Sequence, residues 1–135
     1  MAKKTRSAPT VLVVDDEEQI RMVERRILER AGYHVLEAAD GPSAIALLDE
    51  NMPLDLLLAD MEMPGLLGSE MARRIRRNRP GLKVLFVTGH ADRLFEEQPL
   101  LWDGEAYLDK PFNAEGLLEA VSLLLFGTLN APSWT

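Results

Sequence analysis

The chain has no cysteine. That excludes disulfides, thiolate chemistry and a Cys-ligated zinc, and it suits a reducing compartment, so the cytoplasm is the expected location. Cations are in deficit, with 15 Lys and Arg against 22 Asp and Glu and a formal net charge of -7. Phosphate backbones recruit surplus Lys and Arg, so no nucleic acid is expected as a direct partner. No stretch approaches the roughly 20 apolar residues of a spanning helix, and the opening MAKKTRSAPT has positive charge with no apolar run behind it. Neither a membrane partner nor an export signal is expected. A glycine-rich phosphate loop is also missing, because the first strand-like run leads straight into DDEEQ, which disfavours a dinucleotide-binding domain.

What is present is a regular alternation. The 135 residues, 47% of them hydrophobic, suffice for one domain that buries about two-thirds of its unfolded surface. TVLVVD reads as a buried strand, and EEQIRMVERRILERAG as a helix with Ile20, Val23, Ile27 and Ala31 on one face and Gly32 at its end. HVLEAA is a second strand, followed by Pro42 just inside a helix carrying Ala44, Leu47 and Leu48. LDLLLAD is apolar without a period of two, as befits a strand covered on both faces. SEMARRIRRN, LKVLFVT and AYLD continue the pattern, and Asn113 caps a last helix striped by Leu117, Val121, Leu124 and Leu125. Five strands alternating with helices predict a doubly wound α/β domain, a five-stranded parallel sheet with helices on both faces. The expected organisation is a flexible tail over 1–9, one domain over 10–126 and a short tail over 127–135 with no effector domain.

The chemistry lies at the strand ends. Asp15 and Asp16 close the first run, Asp60 closes the third and Lys110 closes the fifth. In an open parallel sheet those ends converge on one crevice. Two carboxylates about 4 Å apart repel by about 4 kcal/mol at an effective dielectric near 20, so the cluster calls for a divalent cation. Few carboxylates, with room for water and a phosphoryl oxygen, fit Mg²⁺ better than Ca²⁺. Such an ion would neutralise a phosphoryl group and let Asp60 act as nucleophile, with Lys110 and Thr88 typed to receive the other oxygens.

These residues resemble the receiver domain of two-component response regulators, from about Thr10 to Phe126, in a stand-alone, single-domain form. The family's order is an acidic pair, a phosphoacceptor Asp, a Thr or Ser, and Lys-Pro; here these are Asp15-Asp16, Asp60, Thr88 and Lys110-Pro111. The resemblance implies a flavodoxin-like fold and a phosphorylatable switch rather than an enzyme, catalysing only its own phosphorylation and dephosphorylation. It implies Asp60 as phosphoacceptor; Asp15, Asp16, Asp60 and the Glu62 backbone carbonyl as Mg²⁺ ligands; Thr88 and Tyr107 as switch residues; and Glu62 and His90 as rate-tuning positions. Met63-Pro64-Gly65 matches the family's turn. The implied partners are a sensor histidine kinase or phosphotransfer protein and an unidentified downstream protein. Whether phosphorylation promotes a homodimer is left open. The departure lies between the fourth and fifth strands, where ADRLFEEQ is cut by Pro99 and followed by LLWDG. The fourth helix is therefore expected to be short or distorted, and Leu94, Phe95, Leu100, Leu101 and Trp102 to define a particular partner.

Plainer readings stand beside each of these. DDEE can cap a helix, Asp60 can be a turn residue, Thr88 can cap the fourth helix, and Tyr107 can fill the core. Lys110 and the cluster of Arg73, Arg74, Arg76, Arg77 and Arg79 can be solvated surface, and His34 and His90 are expected to be exposed side chains rather than ligands. Two functional alternatives remain: a degenerate receiver that binds proteins without phosphorylation, and a phosphatase of the haloacid-dehalogenase type. The phosphatase rests on Asp60-Met61-Glu62 alone, which lies mid-chain with Glu where that family has a second Asp.

Overall fold

Short apolar runs bounded by carboxylates and glycines fold here as parallel strands. The computed structural model describes residues 8–48, 51–63, 65–89 and 103–129. Five strands, β1 (Thr10–Val14), β2 (His34–Ala38), β3 (Leu56–Asp60), β4 (Lys83–Thr88) and β5 (Glu105–Asp109), form one sheet in the order β2-β1-β3-β4-β5 with all pairings parallel. The helices are α1 (Glu18–Arg30), α2 (Gly41–Leu47), α3 (Gly68–Arg76) and, last in the chain, α4 (Ala114–Phe126). The strand order and crossovers are those of the flavodoxin-like doubly wound fold. No helix among the described residues is long and apolar enough to cross a membrane.

Every residue of β1 and β3 is buried, which explains their lack of alternation. Successive side chains still point to opposite faces. Leu12, Val14, Leu57 and Ala59 join Met71, Ala72 and Ile75 of α3 in one core layer, while Val11, Val13, Leu56 and Leu58 join Leu28 of α1 and Leu117 and Val121 of α4 in the other. Each such Leu or Val contributes about 1.5–3 kcal/mol of transfer free energy. The strands are thereby clamped from both sides, and the acids at their ends are held in register.

Local signals act where the chemistry requires. Asp40 caps α2 by accepting the Ser43 N–H at 2.7 Å, and Asn113 caps α4 by accepting that of Gly116 at 2.7 Å. Gly127, at φ 72°, closes α4 in the left-handed conformation that glycine adopts most readily. Pro9, one residue before β1, is already buried, and its carbonyl accepts the His34 N–H.

One expectation needs correction and one pattern is refined. The stripe Ile20, Val23, Ile27 and Ala31 is only partly turned to the core: Ile27 and Ala31 pack against it, Val23 is 52% exposed, and the buried residues of α1 are Glu24 and Leu28. Val23, Ile27 and Ala31 also line a shallow groove against Ala114 and Leu118 of α4, so that part of the stripe marks the flank between two helices. The arginines of α3 are not all solvated either. Arg76 is buried and donates to the carbonyls of Leu82 and Asp103, and both Arg73 and Arg76 reach the Glu105 carboxylate, at 2.9 and 3.3 Å. Glu105 has a fully buried side chain, and a buried carboxylate requires such counter-charges.

The expected fourth helix, with His90, Leu94, Phe95, Pro99, Leu100, Leu101 and Trp102, lies outside the described residues, as does Pro64.

α3 begins against the end of β3. A Cβ on Gly68 would lie 2.6 Å from the Asp60 carbonyl oxygen and 3.2 Å from the Met61 Cα. Backbone cannot yield as a flexible side chain does, so Gly68→Ala should lower the unfolding free energy by about 2 kcal/mol. Urea denaturation measures this, and an unchanged midpoint would show that α3 is free to slide.

Candidate functional site

The strand order reverses between β1 and β3: β2 lies to one side of β1, and β3, β4 and β5 to the other. A crevice opens at the carboxyl ends of strands flanking such a switch point. Register sets its contents at one level. Val14 pairs with Ala59, Asp60 with Val87 and Thr88 with Asp109, so Asp15, Asp60, Thr88 and Lys110 emerge side by side. Backbone bonds extend the alignment past the strands, from Asp15 N to Ala38 O, Met61 N to Val87 O and Lys110 N to Thr88 O.

The carboxylates of Asp15, Asp16 and Asp60 each offer an oxygen, and these oxygens lie within 4.8 Å of one another. Asp15 is buried at 1% exposure, Asp60 is buried, and Asp16 faces solvent. The Asp15 Oδ1 accepts the Glu17 N–H at 2.8 Å, but its Oδ2 is buried with no hydrogen-bond partner. Asp60 Oδ1 accepts the Glu62 N–H at 3.1 Å and lies 3.5 Å from Lys110 Nζ. Burial pushes the Asp15 carboxyl up to about 6, with the neighbouring Asp60 charge adding to it and the Glu17 N–H opposing. Burial also raises Asp60, against the Glu62 N–H and Lys110. Burial opposes the charge of Lys110, yet the Asp60 and Asp15 carboxylates hold its pKa above the usual lysine value.

This donor set fits a hard divalent cation. Three carboxylate oxygens converge, one of them buried and lacking any partner, and a small oxygen-loving ion supplies what that atom lacks. Helix capping is not what the acidic pair does: Glu17 is the N-cap of α1, and it makes no side-chain cap.

Thr88 is buried, and its hydroxyl donates to Glu62 Oε1 at 2.5 Å; the Gly89 N–H reaches Glu62 Oε2 at 3.4 Å. Tyr107 sits on β5 with 37% of its surface exposed, so it is not core filler. His34 is exposed at the start of β2.

Residues 11–122 match the response regulator receiver domain, and the chain belongs to that family. It is a family of phosphorylatable signalling switches in two-component systems, whose members bind Mg²⁺ at the acidic pocket and interact with histidine kinases or phosphotransfer proteins. The response regulator receiver protein CpdR of Brucella abortus is 35% identical over 85% of this chain and 95% of its own length. The uncharacterized transcriptional regulatory protein YrkP of Bacillus subtilis is 39% identical over 79% of this chain, which spans only 45% of that relative. The structure of the response regulator TrrA from Thermotoga maritima, in complex with Mg²⁺-BeF, superposes with a TM-score of 0.74 at 33% identity, covering 87% of this chain and 99% of that one.

Sequence reasoning missed Glu24. It occupies the inward row of α1, four residues after Ile20 and four before Leu28, and is only 2% exposed. The four-residue spacing was the available signal. Burial, then the charge of Asp15, pushes its carboxyl up to about 8, with Lys110 opposing. A raised acid keeps its proton when folded and loses it when unfolded, so stability falls as pH rises from the ordinary value toward the folded one. In metal-free buffer the chain should lose about 3 kcal/mol more between pH 5 and pH 8 than Glu24→Gln loses. Parallel pH profiles in chemical denaturation would refute this.

Proposed function

We propose that the chain accepts a phosphoryl group on Asp60 from a phosphohistidine and thereby changes a surface read by a downstream protein. The observation that carries this reading is the meeting of Asp15, Asp16 and Asp60 within 4.8 Å, with the Lys110 ammonium 3.5 Å from the Asp60 carboxylate. An Asp60 oxygen forms a bond to phosphorus as the P–N bond of the donor breaks. The donor imidazole, carrying a proton on its other ring nitrogen, leaves with that electron pair as neutral imidazole. Lys110 is placed to balance charge on the transferred group, and the Thr88 hydroxyl, at the end of β4, to donate to one of its oxygens.

Asp15, Asp16, Asp60 and the Glu62 backbone carbonyl would hold Mg²⁺. When bound, the ion supplies neutralisation of the carboxylates and of the phosphoryl oxygens. The unpartnered Asp15 Oδ2 supports this assignment. The receiver unit is 10–126, and it acts in the cytoplasm on a partner protein, in keeping with its likeness to CpdR over nearly that relative's whole length. Its donor is a sensor histidine kinase or phosphotransfer protein. Tyr107, exposed on the edge strand, reports the state to the partner, together with the segment carrying Leu94, Phe95, Leu101 and Trp102.

Incubated with acetyl phosphate and Mg²⁺, the chain should gain one phosphoryl group by intact mass, Asp60→Asn should gain none, and chelation of the metal should abolish the gain. Equal labelling of the Asp60→Asn variant would end this reading.

A further inference from the structure

Glu62 joins two parts of the site that the chemistry keeps separate. Its N–H is bonded to the Asp60 carboxylate at 3.1 Å, while its own carboxylate takes the Thr88 hydroxyl at 2.5 Å and faces the Gly89 N–H at 3.4 Å. We propose that the Glu62 carboxylate is a built-in competitor of the phosphoryl group, holding in the unphosphorylated chain the donors at the end of β4 that a phosphoryl group on Asp60 would take. This rests on Asp60 as the phosphoacceptor.

Three features support the competition. A threonine hydroxyl has one proton, so it cannot donate to Glu62 and to a phosphoryl oxygen at once. Lys110, with three protons, is under no such constraint. Thr88 is 1% exposed, so little water is at hand to replace a lost acceptor, and a short bond to a carboxylate is among the stronger ones available. Finally, Glu62 is two residues from Asp60 on the same turn, which keeps its carboxylate beside the pocket at high effective concentration. Its side chain is only half-buried, so it can leave toward solvent when displaced. Arrival of the phosphoryl group therefore exchanges one anion for another at Thr88, and the switch responds to the difference between the two.

Beryllofluoride with Mg²⁺, a non-covalent phosphoryl mimic, tests this without chemistry at Asp60. Glu62→Ala should raise beryllofluoride affinity about tenfold, the worth of a hydrogen bond to a charged group. In a Thr88→Ala background the same change should give about twofold or less, because the contested hydroxyl is gone. Glu62→Gln, which keeps an acceptor for Thr88 but sheds the charge, should gain less than Glu62→Ala. Equal gains in both Thr88 backgrounds, or equal gains for Gln and Ala, would assign the effect to charge repulsion and overturn the clamp. No gain in any variant would also overturn it. Binding by wild type that Asp60→Asn abolishes leaves the receiver reading standing in those cases, whereas wild type that binds no better than Asp60→Asn removes both.

Discussion

Everything at this site follows from bringing three acids to one rim. Asp15, Asp16 and Asp60 are separate in sequence, yet the parallel pairing of β1 with β3 places them within 4.8 Å. Left alone they oppose one another, and the fold holds them only because both strands are packed on each face by helices. The pairing cannot slip to relieve the repulsion without turning buried side chains to the wrong face. The relief has to come from outside, as positive charge. Lys110 provides part of it at 3.5 Å from Asp60, and the buried oxygen of Asp15 that lacks a partner marks where more is wanted.

Glu62 and Glu24 add negative charge to a neighbourhood already rich in it, and they do so differently. Glu62 is half-buried and satisfied by Thr88 and Gly89. Glu24 lies beneath α1, where burial favours its neutral form and the field of Asp15 reinforces that preference. The first bears on what the donors at β4 can bind. The second ties the stability of α1 on the sheet to the charge state of the site above it.

The fold and the gathering of Asp15, Asp60, Thr88 and Lys110 at one edge of the sheet were legible because they are encoded by short-range pattern: apolar runs closed by Asp15, Asp60 and Thr88, and caps at Asp40 and Asn113. What escaped the sequence depends on how elements meet. A helical stripe such as Ile20, Val23, Ile27 and Ala31 does not say how it divides between the core and the neighbouring helix, and here Val23, Ile27 and Ala31 line the groove against α4 while Ile27 and Ala31 also pack on the core. That ambiguity hid Glu24. An arginine-rich helix looks solvated until a buried Glu105 arrives from thirty residues away in sequence to claim Arg73 and Arg76. The Glu62 to Thr88 bond spans two strands and has no local signature at all.

The Arg73, Arg76 and Glu105 network sits at the end of β5 remote from the acids. Arg76 also grips the carbonyls of Leu82 and Asp103, which ties the foot of this edge strand to the turn after α3. The opposite end of β5 carries Lys110, and Tyr107 lies midway. Anchored at its base by Arg73 and Arg76 and paired with β4 along its length, β5 sets the height at which the Lys110 ammonium stands over Asp60.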